Sequence, residues 1–212
     1  MKCRETQPLH ALRQQWLAMS GLWGASVDAR LQVFSRLVAS YTAANRHYHG
    51  IGHIQHMLAL AGELQTVIGN QQAFYFAIWF HDAVQLAGKD SEGLSASLAC
   101  KELEALDVPA TLISKVIELI LMTKHHVGRG DGDVALFLDI DLSILAGSQS
   151  QYQTYARGCR KEYPIPNFIY RRGRKKFLRS LMKRAFIFNT DLFRKEKEDI
   201  ARGNIKWELQ GL

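Results

Sequence analysis

The chain has 212 residues, of which 47% are hydrophobic and 22% are charged, an ordinary composition for a soluble globular protein. No run of about 18 apolar residues occurs, and the first residues lack the apolar segment of a secretory signal. The three cysteines form no CxxC pair, which fits inert thiols in a reducing compartment. We therefore expect a cytoplasmic protein that does not span or bind a membrane.

The net charge of +7 is distributed unevenly. Between Arg157 and Arg184 there are eleven Lys or Arg residues and a single acid, Glu162, so the rest of the chain is slightly acidic. Such a block can face phosphate, nucleic acid or an acidic membrane surface, or it can be a solvated helix face. The sequence leaves these alternatives open.

Apolar residues recur at spacings of three and four along nearly the whole chain, and the alternation typical of strands is scarce. The pattern predicts nine helices, over Leu9–Met19, Val27–Ala44, His53–Val67, Gln72–His81, Gly93–Leu106, Thr111–Thr123, Gln151–Glu162, Arg174–Phe188 and Arg194–Leu209. Turn residues separate them, and Pro109 favours a helix start at Ala110. We predict one all-α domain.

The stretch "RHYHGIGHIQHM" holds four of the eight histidines. If a helix begins near His49, then His49, His53 and His56 share one face, because they are spaced by four and three. Histidines at i and i+4 suit a metal, although that spacing alone is a weak signal. A zinc-protease site is disfavoured, since Gly50 stands where that pattern has Glu.

The stretch "AFYFAIWFHDAV" ends an apolar helix abruptly in His81 and Asp82. Two polar groups at the edge of a core need compensation for their desolvation. A His–Asp ion pair could supply it, and a divalent metal would do so better with another histidine nearby. The alternative is an ordinary helix C-terminus followed by a turn.

In "ALFLDIDLSIL" two carboxylates, Asp139 and Asp141, interrupt an apolar run. Buried carboxylates are costly unless they coordinate a cation or cap a helix. The preferred interpretation is that Asp139 caps the short turn "DLSIL" and that Asp141 points inward.

The sequence resembles the H…HD…D pattern of the HD superfamily of metal-dependent phosphohydrolases, through His49, the pair His81-Asp82, and Asp141. His49 and His81 are 32 residues apart, and Asp82 and Asp141 are 59 residues apart. The resemblance extends to a subgroup of small bacterial proteins described as predicted metal-dependent HD phosphohydrolases, and covers about residues 41–209. The blocks that carry it are "RHYHGIGHI", "AIWFHDAV", "LILMTKHH", "FLDIDLSIL", "YARGCRKEY" and "YRRGRKKFL".

The resemblance implies a single HD-type helical bundle over residues 1–212, with a core at about 41–145, a basic helical part at about 148–210, and a metal site between central helices. It also implies the metal ligands, which are His49, His81, Asp82 and Asp141. This mixed nitrogen and oxygen set suits a divalent Mn, Mg, Fe, Ni, Co or Zn ion.

Three residues are predicted to take part in catalysis: Asp82, His53 and Glu92. His53 matches a subgroup histidine and would bind substrate or orient Asp82. Glu92 is a candidate general acid or base, and the alternative is a capping box at a helix start.

Substrate binding is predicted for four residues. Arg46 could pair with a carboxylate or a phosphate, or be an ordinary residue at a helix start. His126 could bind phosphate or a second metal, or suit a helix C-terminus. Arg160 and Arg174 match positions that the subgroup shares, which suggests that they bind phosphate.

The function that follows is hydrolysis of a phosphomonoester or phosphodiester, of a nucleotide or a related small molecule, by metal-activated water. One alternative is a nuclease or RNA phosphodiesterase that uses the basic block to bind its substrate, and another is a non-catalytic module that senses a nucleotide. The oligomeric state is not predicted.

Overall fold

The computed structural model describes residues 7–86, 90–128 and 132–212. Within these ranges the chain forms ten α-helices and one 3-10 helix and has no strand, so the prediction of an all-α protein is confirmed. Cys3 and the middle of two predicted turns, at residues 87–89 and 129–131, lie outside the described residues.

Six helices precede residue 125: α1 (Gln7–Ser20), α2 (Val27–Tyr41), α3 (Ile51–Glu63), α4 (Gln71–Phe80), α5 (Ser91–Glu104) and α6 (Ala110–Met122). After it come α7 (Gly132–Asp141), the 3-10 helix (Leu142–Ala146), α8 (Gln149–Glu162), α9 (Asn167–Met182) and α10 (Asp191–Gly211). In the part of the chain that the structure describes, no helix is both long enough and apolar enough to cross a bilayer.

The chain divides into two compact units. The first unit takes the described residues up to Ala43 and from Gly50 to Lys124, and the second takes Ala44–His49 and the described residues from His125 to Leu212. This boundary lies earlier than the predicted one near residue 145. The assignment of residues 1–212 to one HD-type domain stays a prediction.

The first unit is built around α4, which packs against α3, α5 and α6. The segment "AFYFAIWF" has apolar side chains on every face and is buried apart from Tyr75, because neighbouring helices cover it on all sides. Trp16 of α1 contacts Phe76 and Trp79 edge to face, with ring centroids 5.8 Å apart in both pairs. This core places the end of α4, and the polar residues that follow it, at its edge.

The second unit contains several buried charged side chains. In α9, Arg174 pairs with Glu208 of α10, with Nε–Oε1 and Nη2–Oε2 distances of 2.8 and 3.0 Å, and Tyr152 donates to the same carboxylate. Glu198 accepts the backbone N–H groups of Ile187 and Phe188. Buried carboxylates therefore hold the helices and connections of this unit in place.

Two helices of this unit differ from the prediction. Helix α7 was not predicted, because "VALFLDID" has no helical periodicity to distinguish it from another buried element. Helix α9 begins at Asn167 and ends at Met182, earlier at both ends than the predicted 174–188. It starts after Pro166 and ends where Ile187 and Phe188 turn their N–H groups to Glu198.

Candidate metal centre

Helix α3 separates the clustered histidines. It begins at Ile51 with Gly50 as its N-cap, so His49 lies before the helix and the predicted common face for His49, His53 and His56 is wrong. His53 is buried, only 4% exposed, whereas His56 is exposed. The first turn of α3 therefore delivers one histidine, His53, to the interior of the first unit.

Helix α4 delivers the second histidine. His81 is the C-cap of α4, keeps helical backbone angles, and is 2% exposed. Its Nδ1 lies 3.0 Å from the carbonyl oxygen of Ile78. Because a carbonyl only accepts hydrogen bonds, Nδ1 carries a proton, and in the neutral ring Nε2 carries the lone pair that a metal requires.

Three donor atoms converge at this point. The Nε2 atoms of His53 and His81 are 3.2 Å apart, and Asp82 Oδ2 lies 3.3 Å from His81 Nε2 and 4.0 Å from His53 Nε2. Ligand atoms bound at about 2.1 Å lie about 3 Å apart at neighbouring octahedral positions and about 4.2 Å apart at opposite ones. The three atoms thus form a grouping that could hold a metal ion.

The electrostatics of the cluster also suit a cation. In a neutral His81 the Nε2 lone pair lies 3.2 Å from His53 Nε2 and 3.3 Å from Asp82 Oδ2, and a proton or a cation among these electron-rich atoms relieves their repulsion. The side chains of His53 and His81 are 1% exposed, whereas that of Asp82 is 28% exposed. The carboxylate is therefore the side of the cluster that solvent can reach.

The segment after Asp82 is fixed by helix α5. The Ser95 hydroxyl bonds to the backbone N–H and carbonyl of Val84, and Ser91 Oγ accepts the N–H of Leu86. Glu92 lies in the first turn of α5, which Asp90 caps through the N–H of Gly93. The capping-box alternative for Glu92 is therefore wrong, and its role as acid or base stays a prediction.

The second unit holds His49, which pairs with Glu162 at the end of α8. His49 Nδ1 lies 2.6 Å from Glu162 Oε2, and Oε1 accepts the backbone N–H groups of His47, Tyr48 and His49 at 2.7 to 2.8 Å. Burial alone would raise the pKa of Glu162, but the hydrogen bonds from His49 and the backbone outweigh it and lower the pKa to about 2.

The carboxylate of Glu162 therefore fixes both the backbone of residues 47–49 and the ring of His49. Since Nδ1 binds Glu162, Nε2 is the ring nitrogen of His49 that could coordinate a metal. The sequence contained a signal for Glu162, the only acid in a block of eleven Lys and Arg residues, but its role was not predicted.

A second grouping in the described residues joins His49, Cys159 and Glu162. Burial raises the pKa of the Cys159 thiol to about 12, which keeps the sulfur protonated, and the Glu162 oxygens already accept four N–H groups. These contacts describe a structural cluster better than a metal site.

Asp141 and His126 contact each other in the second unit. His126 Nε2 lies 2.9 Å from Asp141 Oδ2, and the His126 backbone has φ of 49°, in the left-handed region that few non-glycine residues adopt. Arg184 donates to the carbonyl oxygens of His125 and His126 and holds this turn. The structure thus places the predicted substrate residue His126 beside the predicted ligand Asp141.

Asp139 does not cap the 3-10 helix, so that interpretation is wrong. It lies inside α7, is fully buried, and accepts hydrogen bonds from the backbone and side chains of Asn189 and Thr190. Burial raises its pKa, and these four bonds offset part of the rise. Asp139 therefore fixes the start of α10, where Thr190 is the N-cap.

Three predicted phosphate-binding arginines have partners in the second unit. Arg174 is buried and bound to Glu208 and Tyr155. Arg160 donates to the carbonyls of Tyr163 and Ile165, and Arg46 donates to that of His49. These contacts describe structural roles and lend no support to phosphate binding, least of all for Arg174.

Of the four predicted ligands, the first unit holds His81 and Asp82, and the second holds His49 and Asp141. The residue that the structure adds to His81 and Asp82 is His53, which was predicted to bind substrate or orient Asp82 rather than to be a ligand. Comparisons of the chain with protein-family models, with curated proteins and with solved structures found no match.

Proposed function

We propose that the protein is a metal-dependent phosphohydrolase. The observation that carries this proposal is the convergence of His53 Nε2, His81 Nε2 and Asp82 Oδ2 within 4.0 Å in the first unit. The H…HD…D resemblance supports it, because two of these residues are the HD pair of that pattern. Small phosphorylated molecules, nucleotides above all, are the substrates that the resemblance implies.

A divalent ion bound here would lower the pKa of a bound water and polarise a phosphoryl group. Ile78 holds the proton on Nδ1 of His81 through its carbonyl, which keeps Nε2 available as a donor. The half-buried Asp82 carboxylate faces the solvent side, where it can orient an attacking water. Ser95 limits the movement of the following backbone at Val84.

The resemblance proposes His49 and Asp141 as further ligands. Glu162 orients the ring of His49, and His126 contacts the carboxylate of Asp141. A carboxylate bound to the distal nitrogen of a histidine is a common support for a metal ligand. Glu92 stays the candidate acid or base, and His126 the candidate contact for phosphate.

The first experiment is elemental analysis of the purified protein, followed by assays with Mn²⁺ and Mg²⁺ on a panel of phosphomonoesters and phosphodiesters. We expect about one or two ions per chain and metal-dependent hydrolysis. The variant His81→Ala/Asp82→Ala should lose the metal and the activity. His56→Ala is the matched control, since His56 is an exposed histidine one turn from His53 on the same helix.

Metal retained at full stoichiometry in His81→Ala/Asp82→Ala would refute the site. Metal bound at the site with no hydrolysis of any panel member would refute the enzymatic function. Tight nucleotide binding in that second case would favour the non-catalytic sensing module.

A further inference from the structure

Helix α9 carries a continuous row of cations on its exposed side. Between Asn167 and Arg184 the sequence has eight Lys or Arg residues and no acid. Three of them are engaged: Arg174 with Glu208, Arg184 with the carbonyls of His125 and His126, and Arg171 with the backbone carbonyls of the last two residues. The remaining five, here called the α9 cations, are Arg172, Lys175, Lys176, Arg179 and Lys183.

Among the described residues, the side chains of the α9 cations make no ion pair and no hydrogen bond with another side chain. They follow one another at helical spacings of three, four and seven, so they form one stripe. With Phe168 they border a common open depression. Five unpaired like charges on one stripe repel one another, which an anionic partner would relieve.

Helix α10 in the same unit shows what an ordinary solvated face looks like here. Its charges alternate in sign, with Arg194 paired to Asp191 and Arg202 paired to Glu198. Both helices belong to the basic part of the chain, but only α9 has no Asp or Glu among its residues. Solubility alone explains the surface of α10 and does not explain that of α9.

An exposed aromatic side chain lies at the start of the stripe. Phe168, in the first turn of α9, is 73% exposed, an unusual position for a large apolar group. From Phe168 to Lys183 the helix rises about 22 Å at 1.5 Å per residue. A row of cations that begins at an aromatic ring suits single-stranded nucleic acid. Its phosphates can contact the cations, and an unpaired base can stack on the ring.

We propose that the exposed face of α9 binds single-stranded nucleic acid. Phosphates contact the α9 cations, and a base stacks on Phe168. A membrane surface is disfavoured, because the exposed apolar residues of α9, Phe168 and Ile169, lie only in its first turn and do not continue along the helix. The proposal goes beyond phosphohydrolase activity and requires no hydrolysis.

The test measures binding of the full-length protein to a fluorescently labelled 12-nucleotide single-stranded RNA, and to the matching DNA, across a range of KCl concentrations. Each phosphate contact contributes about −0.7 to the slope of log K against log salt, so we expect a slope of about −3.5 for five contacts. Binding to both probes means that phosphate is recognised, and binding to RNA alone means that the 2′-hydroxyl is recognised as well.

The variant Lys176→Gln/Lys183→Gln should reduce the slope to about −2.1 and weaken binding roughly tenfold at low salt. The matched control is Lys195→Gln/Lys206→Gln, which removes the same charge from exposed lysines of α10. It should leave the slope unchanged. The affinity should change by no more than about twofold, through the loss of general electrostatic attraction.

The variant Phe168→Ala should weaken binding by about 5- to 150-fold at an unchanged salt slope, since it removes stacking and no charge. Circular dichroism on every variant checks that the helices are retained. Equal effects of the α9 and α10 lysine variants, or no binding at 50 mM KCl, would overturn the proposal. Sedimentation with phosphatidylserine-containing vesicles in the absence of RNA binding would assign the face to membranes and overturn it too.

Discussion

The interiors of the two units differ in how many charged side chains they bury. Among the described residues, the first unit buries one carboxylate, Glu102, whose partner Arg36 is half exposed. The buried charged residues of the second unit are Asp133, Asp139, Arg174, Glu198 and Glu208. An apolar core depends on area and volume, whereas buried charges depend on specific partners. We therefore expect the units to respond differently to the same kind of substitution.

The largest effect should follow from breaking the pair between Arg174 and Glu208. The change Arg174→Met leaves a carboxylate that is 8% exposed without its cation, and should lower the free energy of unfolding by about 3–5 kcal/mol. Urea denaturation followed by circular dichroism and by intrinsic tryptophan fluorescence, to which all four tryptophans contribute, measures it. Arg172→Met on the exposed face of α9 is the control, with an expected change within about 0.5 kcal/mol. A loss below about 1 kcal/mol for Arg174→Met would contradict the role assigned to the pair.

A smaller effect should follow from Asp139→Asn. The amide keeps the shape of the side chain but cannot accept all four hydrogen bonds from Asn189 and Thr190, so we expect a loss of about 1–3 kcal/mol. Thermal and urea unfolding measure it. Asp191→Asn, at a side chain that is 98% exposed, should be nearly neutral. Equal effects of the two changes would show that Asp139 does not fix the start of α10.

The change Glu162→Gln tests the link between the carboxylate that orients His49 and the proposed function. Without the carboxylate, the proton on His49 Nδ1 loses an ionised acceptor, and the nitrogen resonances of the ring in metal-free protein should shift. If His49 is a ligand as proposed, metal affinity should fall about 10- to 100-fold. If the ring resonances shift but the metal affinity does not change, the contact with Glu162 is supported and His49 is not a metal ligand.

The smallest effect should come from the apolar core of the first unit. Phe34→Leu keeps the residue apolar next to Trp16 and Trp79 but leaves part of the ring volume empty, and should lower the free energy of unfolding by about 1–2 kcal/mol. Phe188→Leu is the matched change in the second unit. Similar values for both, measured in urea, would show that buried charge rather than apolar packing distinguishes the units.

The helices of the first unit could be predicted from the sequence to within four residues at each end, and α6 begins at Ala110 as predicted. Their apolar residues recur with the helical period and their ends carry turn residues, which are local signals. The end of α4 at Phe80, with His81 as its C-cap, belongs to this group, since the apolar run stops there. In the second unit, α7 was missed and α9 was displaced.

The failures have a common cause. In α9 the stretch "NFIYRRG" mixes aromatic and basic residues, and since Tyr170 is buried while Phe168 is exposed, no regular apolar period marks the start of the helix. In α7 the carboxylate of Asp139 finds partners 50 residues later, at Asn189 and Thr190. Hydrophobic periodicity locates a helix when its charged residues face solvent, and it fails where distant residues pair with those charges in the interior.

The sequence by itself determined the all-α class, most helices of the first unit, and the choice of His81 and Asp82 as chemically important, because each depends on local polarity and spacing. The tertiary structure decided which histidine joins them, since α3 begins at Ile51 and turns His53 inward while His49 stays before the helix. It also decided that Glu162 supports His49 and that Arg174 supports Glu208. The desolvation of a buried charge is offset only by partners in space, which chain order does not reveal.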